Sequence, residues 1–221
     1  MIIYKLTPSL FLSWLWWCKN EAKWGNGFKD SLLLKKVETT PAMQAGLDWE
    51  NYIQKLAEQR LSVVDDNALD DDDVDVMLAD HLKFARFQVP VKFVLPISDD
   101  IQVLFSGRCD AVDDFSLFQI FDLKRGKKYD DKYKYYDSIQ HLVYMLGLNI
   151  YKFKYVFRAD SGNMYFENYK YEPEEARSML VERTKKFLGL SPEFLRKPDW
   201  FSDYEKFWTV SSDTVKECPV L

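Results

Sequence analysis

Two aspartates and a lysine lie where two predicted neighbouring strands end. Asp110 closes the string Gly-Arg-Cys-Asp, and Asp122 and Lys124 are separated by one residue in Ile-Phe-Asp-Leu-Lys. Because strand side chains alternate between faces, Asp122 and Lys124 share a face. Two converging carboxylates form a hard oxygen site suited to Mg²⁺, and an ammonium beside them can hold the attacking water or neutralise charge on a phosphate. These residue types indicate metal-assisted phosphodiester hydrolysis.

Apolar neighbours distinguish this set from an ordinary surface ion pair. An isolated Asp-x-Lys is usually solvated, but Leu104-Phe105 and Ile120-Phe121 precede the charged residues, which places them at the ends of core strands. On the next predicted helix Tyr136, Gln140 and Tyr144 recur every four residues and share one face. We expect Gln140 to orient a water or a phosphate from that face.

The ordered strings Gly-Arg-Cys-Asp, Phe-Asp-Leu-Lys and Gln-x-x-x-Tyr resemble the motifs of the PD-(D/E)XK nuclease superfamily, most closely its RecB-like and phage-exonuclease-like branch. The resemblance spans about residues 7 to 158. It implies a restriction-endonuclease-like α/β (α+β) core in which helices flank a central mixed β-sheet. One nuclease domain would cover 1–221, with an N-terminal helical segment over about 1–60 and a C-terminal helix and tail over about 171–221.

The same resemblance implies roles for particular residues. The catalytic set would be Asp110, Asp122, Lys124, Gln140 and Tyr144. The family's upstream Gly-x-x-x-Glu motif matches Gly46 to Glu50, so Glu50 would join Asp110 and Asp122 as ligands of Mg²⁺, with Mn²⁺ as a substitute. We expect Gly46 to let another backbone come close, and Glu50 to lie one turn later on the same face.

A basic and aromatic segment follows the Asp-x-Lys motif. Cations suit phosphates and aromatic rings stack under bases, so the segment is predicted to contact DNA. The alternative is a solvated loop whose tyrosines cover the core. The predicted nucleic-acid-binding residues are Arg125, Lys127, Lys128, Lys132, Tyr133 and Lys134. His81 and His141 are expected to be ordinary structural residues.

The composition indicates where the protein is expected to act and which cofactor it is not expected to hold. The 221 residues are 47% hydrophobic, enough for a sizeable core, and the net charge of −5 requires any nucleic-acid partner to bind a local basic patch. Three widely spaced cysteines indicate a reducing cytoplasm. Some members of the resembled branch hold an iron–sulfur cluster with four cysteines. This chain has only three, so no cluster is expected here and Cys18 is predicted to be a core residue.

The elements that position these residues follow from periodicity and turn residues. Helices are predicted over Pro8 to about Glu21, Ala42 to Arg60, about Lys134 to Leu148, and Pro173 to Leu190. Strands are predicted over Val89–Leu95, Ile101–Val112, Ser116–Leu123, Tyr151–Arg158 and Met164–Tyr169. Residues 25–27 are predicted as a loop, Asp65 to Asp75 as a solvated linker or helix start, and the chain after Pro192 as irregular.

Three functions remain open at this point. The first is a magnesium-dependent DNA nuclease, with an exonuclease of phage or recombination and repair type favoured over an endonuclease. The second is a nucleic-acid-binding module that kept the fold and lost catalysis, against which the intact Asp110, Asp122 and Lys124 argue. The third is an acidic interaction protein, prompted by Asp65 to Asp75. The expected partners are DNA and a second copy or a recombination or replication protein, with no membrane.

Overall fold

The computed structural model describes residues 1–19, 21–36, 38–62, 73–129, 135–191 and 198–221, apart from the side chains of 21–26. A mixed β-sheet flanked by helices lies at its centre, which confirms the predicted fold class. The strands are β1 (Ile2–Leu6), β2 (Arg86–Pro96), β3 (Ile101–Asp113), β4 (Gln119–Gly126), β5 (Lys152–Ala159) and β6 (Met164–Lys170). The helices are α1 (Pro8–Lys19), α2 (Glu21–Leu32), α3 (Pro41–Ser62), α4 (Val74–Leu82), α5 (Gln140–Leu148), α6 (Pro173–Phe187) and α7 (Phe201–Trp208), followed by a 3₁₀ turn at Ser212–Val215.

The long strand β3 organises the sheet, whose order is β1-β3-β4-β5-β6, with β2 also paired to β3. β2 runs antiparallel to β3 along one edge. On the other edge β1 pairs in parallel as far as Phe105, and β4 pairs antiparallel only from Ala111 onward. Between Phe105 and Ala111 the two neighbours of β3 therefore leave an opening, which we call the β3 gap.

Helices cover both faces of the sheet and enclose the two larger of the three apolar clusters found among the described residues. The first core joins one face to side chains of α1, α5, α6 and α7. The second core joins the other face to α3 and α4. Cys109 belongs to the first core and Ala111 to the second, so the usual alternation along β3 breaks at Asp110. Gln88, between the partners of Cys109 and Ala111 on β2, has a φ of 54°, a strained value for a residue other than glycine.

Most predicted elements are present, with shifted ends. The predicted helices at Pro8 and Ala42 correspond to α1 and α3, and the five predicted strands to β2 through β6. The prediction of a helix from Lys134 was wrong at its start, because α5 begins at Gln140. In the preceding turn, the Arg183 guanidinium donates to the carbonyls of Tyr136 and Ser138, each at 2.7 Å.

Other elements were missed. β1 lies inside the segment predicted as helical, and residues 25–27 are helical in α2 rather than a loop, because burial of Phe28 and Leu32 outweighs the low helix propensity of glycine. The tail predicted as irregular contains α7, which buries Phe201, Tyr204 and Trp208. Asp73 caps α4, so the acidic run ends in a helix start, while its residues 65–72 lie outside the described chain. Across the described ranges, no helix is long and apolar enough to cross a membrane.

Gly147 fixes how closely α5 approaches the sheet. A Cβ there would lie 2.2 Å from Cγ1 of Val91 and 3.0 Å from the Phe93 ring. Gly147→Ala is therefore expected to lower the free energy of unfolding by about 1–3 kcal/mol, the usual cost of overpacking. Urea denaturation measures it, with Gly46→Ala as the control, because a Cβ at Gly46 meets nothing within 4 Å. Unchanged stability of Gly147→Ala would contradict this packing.

Candidate active site

Asp110 and Asp122 meet at the end of the β3 gap, where β3 and β4 separate. Ladder pairing of the two strands stops at Ala111 and Phe121. Past that pair of residues, Oδ2 of Asp110 accepts a hydrogen bond from the backbone N–H of Leu123 at 2.7 Å. A side chain thus bonds the Leu123 N–H where the backbone pairing of the two strands has stopped. The carboxyl of Asp122 is fully buried and lies within hydrogen-bonding reach of that of Asp110. The structure thus brings together the two acids that the sequence predicted to converge.

Lys124 and Gln140 hold the two oxygens of Asp122. The Lys124 ammonium forms an ion pair with Oδ2, which places both side chains on one strand face as predicted. Nε2 of Gln140, in the first turn of α5, donates to Oδ1 at 2.6 Å. The Lys124 side chain is 26% exposed, so its ammonium joins the buried carboxyl of Asp122 to the solvent side of the site.

Tyr144 connects the first and third sequence motifs. Its hydroxyl donates to the carbonyl of Arg108 at 2.7 Å. A Cβ on Gly107 would come within 2.9 Å of the Tyr144 ring, so the glycine makes room for the tyrosine. Tyr144 therefore secures the backbone of β3 in the gap next to Asp110, which is a positioning contact.

Glu50 approaches the site from α3. It is half-buried, and burial together with the charge of Asp110 raises its pKa to about 7, although Lys124 opposes the shift. An upstream glutamate thus comes into electrostatic range of the two aspartates, as the spacing predicted. The reason expected for Gly46 was wrong, because no other atom comes within 4 Å of a Cβ built at Gly46.

The electrostatics of the site are those of crowded, desolvated carboxyls. Burial raises the pKa of Asp122 to about 8, with Asp110 and Glu50 adding to the shift against Lys124. Burial likewise raises the pKa of Asp110. Burial alone would lower the pKa of Lys124, but the carboxylates of Asp122 and Asp110 hold it above its ordinary value. Asp122 and Glu50 therefore hold their protons to higher pH than ordinary carboxyls do, and Lys124 remains charged at neutral pH.

This donor set fits a hard divalent cation. Mg²⁺ prefers carboxylate oxygens, and a bound cation would favour the ionised forms of these carboxyls against the burial that raises the pKa values of Asp110, Asp122 and Glu50. In the part of the chain that is described, no three His, Cys, Asp or Glu side chains already converge as a metal cluster. The assignment of Glu50, Asp110 and Asp122 as joint ligands remains a prediction.

The predicted DNA-contacting segment is described in part. Arg125, Lys127 and Lys128 are exposed and follow Lys124 in the chain. Arg125 projects from the sheet face opposite to Lys124, and its Nε lies 3.3 Å from Oδ1 of Asp160. Lys132, Tyr133 and Lys134 lie outside the described residues. Tyr135 is buried and stacks on Tyr155 with ring centroids 4.7 Å apart, so it covers the core, as the alternative interpretation of this segment expected.

Cys18, Cys109 and His141 differ in how far they are buried. Cys18 is exposed, so the prediction of a core residue was wrong, because the buried face of α1 is formed by Leu10, Phe11 and Trp14. Burial raises the pKa of Cys109, next to Asp110, well above its ordinary value. Burial lowers the pKa of His141 and leaves it neutral in a stack on Tyr169.

Two side chains near the site were not found from the sequence. Tyr155 on β5 pairs in register with Asp122, and Glu167 on β6 pairs with Tyr155. Both are buried on the same sheet face as Asp122. Their sequence positions resemble ordinary alternating strand residues, and only the register of three strands places them in one row with Asp122.

Comparison with known proteins supports the fold alone. No protein-family model matches the chain, and no curated protein matches it. Among solved structures it is similar to the one titled "Crystal structure of SSO0001", with a TM-score of 0.51 and 7% sequence identity, over 83% of this chain and 76% of that chain. At that identity the likeness concerns the arrangement of helices and strands.

The raised pKa values predict a pH-dependent stability in metal-free protein. Asp122 and Glu50 bind protons more tightly folded than unfolded, so stability is greatest while both are protonated. The contribution of these two carboxyls to the free energy of unfolding falls as pH rises from about 4, the ordinary carboxyl pKa, through about 8. Each proton lost lowers it by up to about 1.4 kcal/mol per pH unit. Lys124 stays protonated throughout that window.

Thermal unfolding in EDTA between pH 5 and pH 8 measures this effect. The melting temperature of the wild type should fall with pH, and that of Asp122→Asn should fall less. Asp48→Asn, an exposed site on α3, should follow the wild type. If the melting temperatures of the wild type and Asp122→Asn fall equally with pH, the fold does not raise the pKa of the Asp122 carboxyl.

Proposed function

We propose that this chain is a Mg²⁺-dependent deoxyribonuclease that hydrolyses phosphodiester bonds at the end of the β3 gap. The observation that carries the proposal is the meeting of Asp110 and Asp122, from two separating strands, with Lys124 on one oxygen and Gln140 on the other. Asp110, Asp122, Lys124 and Gln140, spread over 31 positions, meet around the buried carboxyl of Asp122, which is difficult to explain as a surface ion network. The resemblance to PD-(D/E)XK nucleases supports the same conclusion independently of distances.

The carboxylates of Asp110 and Asp122, with Glu50 from α3, would hold the metal. A bound Mg²⁺ supplies Lewis-acid stabilisation of the phosphate and lowers the pKa of coordinated water. Gln140 keeps Asp122 oriented through its 2.6 Å hydrogen bond, and the N–H of Leu123 does the same for Asp110.

Lys124 has the properties of a cation and not of a base. Asp122 and Asp110 keep its pKa above the ordinary lysine value, so it carries a proton at neutral pH. Its partly exposed ammonium can neutralise charge that grows on the phosphate and orient a water by donating hydrogen bonds. Arg125, Lys127 and Lys128, exposed just after it, would contact neighbouring phosphates.

The family resemblance extends the proposal to an exonuclease of phage or recombination and repair type. Under this proposal DNA is the substrate, the cytoplasm is the site of action, and a second copy or a recombination or replication protein is the expected partner. Mn²⁺ would replace Mg²⁺ in supporting cleavage, since both accept oxygen ligands.

Cleavage of end-labelled linear DNA and closed circular DNA tests the proposed activity. With Mg²⁺, the linear substrate should be degraded from its ends while the circle remains intact, and EDTA should stop the reaction. Nicking of the circle would assign an endonuclease instead. Salt-sensitive binding of DNA without any cleavage, with Mg²⁺ or Mn²⁺, would replace the nuclease proposal with that of a catalytically silent binding module.

Lys124→Ala separates catalysis from binding. The ammonium is assigned to charge that develops during hydrolysis, and removal of such a group typically lowers kcat by roughly 10²–10³-fold. The affinity for DNA should change little, because Arg125, Lys127 and Lys128 remain. Single-turnover cleavage and fluorescence anisotropy on the same oligonucleotide measure the two quantities. Near-normal turnover by Lys124→Ala would remove it from the catalytic role.

A further inference from the structure

An aromatic row extends from Lys124 across the sheet. Lys124 on β4 pairs in register with Phe157 on β5, and Phe157 pairs with Tyr165 on β6. Residues paired in this way project from one face, so Lys124, Phe157 and Tyr165 lie side by side on the face that carries Asp122. Two strand spacings separate β4 from β6, about 10 Å. A DNA strand whose phosphate lies at Lys124 could therefore pass over Tyr165.

Tyr129 completes an aromatic surface at the end of that row. Its ring stacks on Tyr165 with centroids 4.8 Å apart and planes at 13°, and it contacts Phe157 at 5.4 Å. Gly126 permits this arrangement, because a Cβ there would come within 3.0 Å of the Phe157 ring. Tyr165 is 36% exposed, and the exposed Lys127 and Lys128 immediately precede Tyr129. We call the stacked rings of Tyr129 and Tyr165 the tyrosine platform.

A buried carboxylate holds the platform in place. Glu167 is 4% exposed and accepts hydrogen bonds from the hydroxyls of Tyr129 at 2.5 Å and Tyr169 at 2.6 Å. A carboxylate is buried at high cost unless such donors surround it, so the three groups stabilise one another in a fixed geometry. The orientation of the Tyr129 ring is therefore set before any ligand arrives, and less ordering is needed on binding.

We propose that the tyrosine platform binds an unpaired nucleobase next to the scissile phosphate, which makes single-stranded DNA, or an unpaired end, the preferred substrate. This inference rests on the proposed nuclease function and specifies its substrate. Every base offers a π-face, so stacking on aromatic side chains tolerates sequence, whereas bases inside a duplex already stack on each other. Glu167 is a positioning residue for this site, acting through Tyr129.

Kinetics on single-stranded and blunt duplex DNA test the platform. Tyr165→Ala should raise KM for the single strand roughly 5- to 150-fold, the change that corresponds to about 1–3 kcal/mol of base stacking, and leave kcat and the duplex KM close to the wild-type values. Tyr165→Phe keeps the ring and should behave like the wild type. Phe166→Ala is the matched control, because Phe166 is an exposed aromatic residue on the opposite face of the same strand.

A binding measurement separates this inference from the nuclease proposal. A single-stranded oligonucleotide containing 2-aminopurine, titrated in EDTA, should lose fluorescence when its base stacks on the wild type or Tyr165→Phe, and should not with Tyr165→Ala. Equal single-strand KM and equal fluorescence loss for Tyr165→Ala and the wild type would overturn the platform. If no DNA is cleaved in Mg²⁺, the nuclease proposal fails, and the fluorescence result still decides whether the platform binds a base.

Discussion

The fully buried carboxyl of Asp122 sets the constraint on which the rest of the site depends. An ionised carboxylate in such a place costs several kcal/mol unless donors or a counter-charge surround it. Here Lys124 and Gln140 each hold one oxygen, while the neighbouring Asp110 adds a second acid at hydrogen-bonding distance. A single lysine does not offset the burial of these acids, and this imbalance raises the pKa values of Asp110, Asp122 and Glu50 above the ordinary carboxyl value. A divalent cation would remove that imbalance.

The site of Asp110 and Asp122 depends on the separation of β3 and β4. β3 is shared by β1 and β4 on one edge, and the opening between them exposes the stretch that carries Gly107 and Asp110. Tyr144 packs against Gly107 and bonds to the backbone of Arg108, so α5 braces the opened strand. Because Gly147 keeps α5 close to β2, the first turn of the same helix delivers Gln140 to Asp122.

The grouping of several site residues could be predicted from sequence because it depends on local spacing. Asp122 and Lys124 share a face by strand alternation, and Gln140 and Tyr144 share one by helical spacing. Glu50 was found through a motif, although the reason given for Gly46 was wrong. Glu167 could not be found, because its place beside Tyr155 and Asp122 depends on the register of three strands. α7 could have been predicted, because Phe201, Tyr204 and Trp208 have the spacing of one buried helical face.

Titration calorimetry with Mg²⁺ or Mn²⁺ tests most directly the claim that Asp110 and Asp122 share one divalent cation. The wild type should bind the ion and release protons at pH 7, seen as a binding heat that varies with the ionisation enthalpy of the buffer. Asp110→Asn keeps the side-chain shape and should lower the affinity at least about tenfold. Equal affinity of the two proteins, with no proton release from the wild type, would contradict the shared site.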